Sequence, residues 1–231
     1  MPHIATPVAG SSGASTASVS GLSFSFLSAV PTGHTLIGAV NVTENTTQPG
    51  VTVTDSKGNT YTVDGEVTSG TTDVTVVFST LVTTALTTSD TITVTFSDTH
   101  TRWAISVEEF DDILSARLDQ TATGSGVGTA MTTSATGTTT AANELVFGGF
   151  GFTTPSGKTF TPQAGFSNSA IQGTTVGTAD RAVCNEWRYI NTIGAQTVSA
   201  TLNVSSTWAA VAATYKVAPT GIQELGLLGV G

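Results

Sequence analysis

The chain has 231 residues, a net charge of −9 and a pI of about 4.5, with only 10% of its residues charged. Its seven Lys and Arg are scattered from Lys57 to Lys216 without a cluster, which argues against a nucleic-acid partner and an anionic membrane surface. Threonine, roughly one residue in five, replaces the missing charge and suits half-exposed pleated surfaces.

In chain order, residues 1–18 (MPHIATPVAGSSGASTAS) are flexible in composition and are expected as an N-terminal arm. They lack the basic start and apolar run of a secretory signal, so the expectation is a signal already removed or release by lysis or a dedicated machine. No stretch is long and apolar enough to span a membrane. A sandwich domain is expected over 19–217.

Its first strands are LSFSFL (22–27), TLIGAVNV (35–42), VTVTD (51–55) and NTYTVDGEV (59–67). TLIGAVNV is apolar on both faces and reads as central. DVTVVFS (73–79) and TITVTFS (91–97) alternate with period two, as expected of strands with one buried face. RWAISVEEF (102–110) follows, and LVFGGFGF (145–152) is again apolar on both faces. KTFTPQ (158–163), RAVCNEWRYI (181–190), AQTVSATLN (195–203) and STWAAVAATYKV (206–217) complete the set.

No segment has a convincing helical period, although 81–86 and 112–118 have room for a turn or two. Residues 119–143, nearly free of large apolar side chains, read as a surface excursion with edge strands or as a linker. No internal repeat relates the halves, which favours one domain. About a dozen strands at even spacing predict an all-β, two-sheet antiparallel sandwich with sheets of five to seven strands. Past a Pro-Thr-Gly break, residues 218–231 form an apolar arm carrying Ile222, Leu225, Leu227, Leu228 and Val230, which needs something to dock on.

Few residues offer chemistry. In VTVTDSKGNTYTV, Asp55 and Asn59 flank a Lys and a Gly, which fits a tight hairpin turn closed by Asx side chains better than a calcium loop. His3, His34 and His100 stand far apart, and Cys184 is single, so no disulfide framework and no zinc or copper spacing exists. Cys184 reads as a small buried strand residue. GSGVG (124–128) lacks the strand and helix that make a phosphate loop. No G-x-S-x-G elbow precedes a helix. No cofactor is expected.

In VEEFDD (107–112), Glu109 and Asp111 are expected on one strand face. Such a pair is the equipment of a retaining glycosidase. The competing reading is a strand end running into an acidic loop. For sugar binding, Tyr61, Trp187, Tyr189 and Trp208 are the aromatic candidates, and Tyr61 beside the turn is the one expected to be exposed.

The strings VTDSKGNTY, WAISVEEF, LDQTATGSG, ANELVFGGFGF and STWAAVAATYKV, in that order, resemble a family of jelly-roll modules found in tailed-phage virion proteins and bacterial secreted surface proteins. The resemblance covers about residues 20–217. It implies a β-sandwich, makes the Asp-x-x-Gly-Asn-x-Tyr segment structural, and carries over no active site. Both arms lie outside it.

The leading expectation is a non-enzymatic structural protein of a phage virion, as a capsid decoration protein or a tail or fibre subunit. Its partners would be copies of itself and other virion proteins. The alternative is a glycan-binding or adhesion module of a secreted bacterial protein, with cell-surface glycan as ligand. A glycoside-active enzyme resting on Glu109 and Asp111 is the third. Localisation is expected in the virion or outside the cell.

Overall fold

A computed structural model of the chain describes residues 3–12, 19–43, 50–70, 73–154, 157–173 and 180–218. Among the described residues there are fifteen strands. They are β1 (His3–Ser12), β2 (Val19–Ser25), β3 (Thr35–Thr43), β4 (Val51–Asp55), β5 (Thr62–Ser69), β6 (Asp73–Leu81), β7 (Thr91–His100) and β8 (Trp103–Phe110). There follow β9 (Ile113–Thr132), β10 (Asn143–Thr154), β11 (Phe160–Pro162), β12 (Ser167–Asn168), β13 (Gln172–Gly173), β14 (Asp180–Asn191) and β15 (Ser199–Val217). The molecule is an antiparallel β-sandwich.

The strands form three sheets rather than the expected two. A five-stranded sheet runs β1-β8-β3-β6-β5, a three-stranded sheet runs β2-β7-β4, and a seven-stranded sheet runs β11-β15-β10-β14-β12 with β9 on β15 and β13 on β14. Period-two alternation sends each side of the central sheet to a different neighbour. Leu36, Val40, Val42, Val76 and Phe78 meet Ile92, Val94 and Phe96 of the three-stranded sheet. Ile37, Ala39 and Val77 meet Leu145, Phe147, Val211 and Tyr215 of the seven-stranded sheet. A further cluster of Val146, Phe150, Phe152, Val198, Leu202 and Trp208 lies on the far side of that sheet. At about 1.5–3 kcal/mol per large buried side chain, these three cores are the main source of stability.

The central sheet explains the sequence texture. β3 is buried at every position, as its two-faced apolar pattern predicts. β6, expected to bury one face only, is buried along all but its last residue, because both its faces are covered. The glycines of LVFGGFGF set the spacing between layers. A Cβ on Gly149 would lie 2.6 Å from Val77 and 2.7 Å from Ala39, so only glycine lets the two sheets come this close.

Four local expectations are corrected or narrowed. His3–Ser12, expected within a flexible arm, is the edge strand of the central sheet, paired with β8 from Phe110 to Trp103. Its small hydroxyl and Gly/Ala residues hide the strand pattern, but Val8 is fully buried. VTVTD and NTYTV do not form a hairpin. β4 pairs with β7 and β5 pairs with β6, so the segment between them arches from one sheet to another. Residues 119–143 are not a linker: they begin as an edge strand, one of the two alternatives, since β9 runs along β15 as far as Thr132. The two stretches given room for helical turns are extended or bent: Leu86 bridges Val30, and Ile113 opens β9. The apolar residues Ile222, Leu225, Leu227, Leu228 and Val230 lie outside the described residues.

Candidate functional site

The arch between β4 and β5 is organised by three side chains. Asp55 Oδ1 accepts the backbone N–H groups of Lys57 and Asn59 at 2.9 and 3.1 Å. Asp55 Oδ2 accepts from Asn59 Nδ2 at 2.9 Å and from the Tyr61 hydroxyl at 3.0 Å. Gly58 takes the left-handed conformation that closes the bend, with φ 77°. Asn59 is buried, and its Oδ1 accepts from Thr83 N, Thr83 Oγ1 and Thr84 N. These donors use both Asp55 carboxylate oxygens within the fold, so the segment is a turn, as the sequence suggested, though of a different kind.

The arch opens a groove of about 720 Å³ between the two sheet edges, lined by residues 51–55 and 58–63. Thr52, Thr54, Thr60, Tyr61 and Thr62 give it a hydroxyl-rich lining. Tyr61 was expected as an exposed platform. It is half-buried, packs edge-on to Phe78 with ring centroids 6.0 Å apart, and lines the groove. Burial, then the charge of Asp55, push its phenol above the usual range, so it stays a hydrogen-bond donor.

The acidic run is a strand end running into a short acidic bend, as the competing reading has it. Glu108 and Glu109 both end up buried, on opposite faces of β8, while Asp111 is exposed beyond the strand end. Glu109 Oε1 lies 2.7 Å from His34 Nδ1. Glu108 has four partners: Thr6 Oγ1 at 2.7 Å, His3 Nε2 at 3.1 Å, Ser106 Oγ at 2.9 Å and Asn185 Nδ2 at 3.1 Å. His3 also stacks on Trp187 with ring centroids 4.3 Å apart. Glu108 thereby fastens the N-terminal strand to both larger sheets. Glu109 is buried within β8 and Asp111 is exposed past its end, which is not the shared strand face expected of the pair.

The remaining candidates are placed as follows. His100 lies between Phe96 and Trp103, with Nε2 2.8 Å from Asp98. The three histidines therefore meet three different carboxylates and not one another. Among the described residues no group of three or more His, Cys, Asp or Glu is placed to hold a metal ion. Cys184 is fully buried on β14, as expected, and burial pushes its thiol up to about 12. GSGVG is part of strand β9, paired with Ser206 to Ala210. Trp187 and Trp208 are buried, and Tyr189 donates its hydroxyl to Asp112 at 3.1 Å.

Sequence reasoning missed the partners of Glu108, because Thr6 and Asn185 are brought to it only by strand order. It also missed a Lys216–Asp119–Glu144 group on the outer face of the seven-stranded sheet, whose members meet only through register. Among the described residues no helix is long and apolar enough to cross a membrane. No family model, curated protein or solved structure matches the chain.

Proposed function

We propose that this chain is a non-enzymatic structural protein of a virion, a capsid decoration protein or a tail or fibre subunit, that associates with copies of itself and other virion proteins. The observation that carries the reading is the use made of the buried and half-buried ionisable groups. Glu108, Glu109, His3 and His34 are committed to fixing a strand and a loop to the central sheet. A hydroxyl-rich surface and a C-terminal segment carrying Ile222, Leu225, Leu227, Leu228 and Val230 support an assembling module further.

Sedimentation of the full chain and of a chain ending at Val217 tests the proposal. An oligomer that becomes a folded monomer on truncation is the expected result. Loss of β-sheet circular dichroism on truncation would place the segment in the fold's own core and remove its role in assembly.

A second reading is favoured by the groove at the arch: adhesion to a cell-surface glycan. Its hydroxyl lining and the Tyr61 ring suit a neutral sugar better than a charged ligand. Two monomers in sedimentation, together with glycan-array binding lost in Tyr61→Ala, would put this reading first.

A further inference from the structure

β4 is an edge strand with a free side. Among the described residues it pairs with β7 alone, from Val51 opposite Phe96 to Asp55 opposite Ile92. Just beyond the two ends of that ladder, the Gly50 carbonyl accepts the Ser97 N–H and the Ser56 N–H reaches the Thr91 carbonyl, each at 3.0 Å. Antiparallel ladders alternate bonded and non-bonded pairs. Thr52 and Thr54 therefore turn their backbone groups to β7, and Val51 and Val53 turn theirs away. Every residue from Val51 to Asp55 lines the groove at the arch, so it is the edge of β4, rather than one of its faces, that borders the groove.

The groove is also a gap in the side of the first core. Val51 and Tyr61 pack on that core but are only half-buried, and Val63 beside them is 37% exposed. Asp55, the charged residue of the lining, has both carboxylate oxygens engaged within the arch. The site thus offers what an added strand uses: unpaired backbone groups for its main chain and apolar surface for alternate side chains.

The chain carries a segment of that kind. Lys216, one residue before the end of β15, lines a cavity with Thr62, and Thr62 also lines the groove. The last described strand therefore ends beside the groove. Residues 219–231 follow, outside the described residues, and a segment of that length reaches roughly 40 Å when extended. In an extended stretch Leu225 and Leu227 fall on one side, with Gly226 between them.

We infer that residues 222–230 of a neighbouring copy enter the groove as an added strand on β4. Their main chain pairs with Val51 and Val53, and Leu225 and Leu227 seat against Tyr61 and Val63. The inference rests on the assembly reading and supplies the seat of the C-terminal segment. Each copy carries both groove and segment, so two copies can exchange segments reciprocally across a two-fold axis.

Sedimentation of the full chain and of full-length Val51→Pro tests the inference. Proline is tolerated at the first residue of an edge strand. Here it removes only the outward N–H, so β4 keeps its ladder with β7. The variant is expected to sediment as a monomer with unchanged β-sheet circular dichroism, where the wild type is an oligomer. In a second measurement, full-length Val63→Cys and Leu227→Cys chains are mixed and oxidised; the native Cys184 is fully buried. A disulfide between the two substituted positions, joining different chains, is expected on peptide mass mapping. Should the proline variant unfold, this cross-link decides. A folded Val51→Pro oligomer, or no disulfide between the mixed chains, overturns the inference. If truncation at Val217 still dissolves the oligomer, the assembly reading then stands with the segment seated elsewhere. A monomeric wild type overturns both, and a glycan held in the groove of that monomer would be the other occupant.

Discussion

Asn59 binds Thr84 twice, accepting its N–H at 2.9 Å and donating to its carbonyl at 3.0 Å, although the two residues lie 25 positions apart. A side-chain amide thus takes the place of a neighbouring strand and ties the arch to the loop after β6. Asn59→Ala leaves these buried backbone groups unpaired. A loss of about 2–4 kcal/mol is expected, since each orphaned group costs about 1–3 kcal/mol. Urea denaturation should show a lower midpoint at an unchanged slope.

Glu108 gathers the donors His3, Thr6, Ser106 and Asn185. Glu108→Ala strands them in the interior and is expected to cost about 3–5 kcal/mol, the usual result of breaking a buried charged network on one side. The N-terminal strand should loosen first. Limited proteolysis should cut within residues 3–12 in the variant before the rest of the chain is attacked.

Glu186 is buried and accepts two backbone N–H groups, from Gln163 at 3.0 Å and Ser199 at 3.2 Å. Burial nevertheless dominates and raises its carboxyl from 4.5 to about 7. Between those two values the folded state holds more protons than the unfolded state, so stability falls as pH rises. The contribution is full below the unfolded value and lost above the folded one, by about 3 kcal/mol at most at 1.36 kcal/mol per unit. Melting temperatures from pH 4 to 8 for wild type and Glu186→Gln isolate it. Their difference should change across this window and be flat above it.

Gly149 faces Ala39 and Val77 at distances that leave no room for a methyl group. Gly149→Ala should cost about 1–3 kcal/mol through overpacking. Val77→Ala removes one of the two contacts and leaves the Ala39 Cβ at 2.7 Å, so the relief is partial. The double variant should therefore be more stable than the sum of the two single losses predicts, which a double-mutant cycle by denaturation would measure.

Much of the architecture was legible because alternation is a local signal. The two-faced apolar runs of β3 and β10 marked them as interior strands, and they are. What failed depends on partners. The start of β9 left an edge strand and a linker both open because its Gly, Thr and Ser residues are small, yet a Cβ on Gly126 would lie 3.0 Å from the Trp208 ring, so the partner strand requires small residues there. The arch was mistaken for a hairpin because a turn signal does not say whether the chain stays in its sheet. The acidic run looked like a surface feature, since nothing near it in sequence announces that Thr6 and Asn185 will reach Glu108.

The doubly covered central sheet has a consequence during synthesis. β3, β6 and β8 emerge from the ribosome with β2, β4 and β7, so one face can close early. The other face, with Ile37, Ala39, Val77 and Ala104, finds its cover only in residues 145 to 215. For the interval in which those later residues are still being made, a sticky half-molecule stands in the cell, which makes this chain a natural client for a chaperone that binds extended apolar surface.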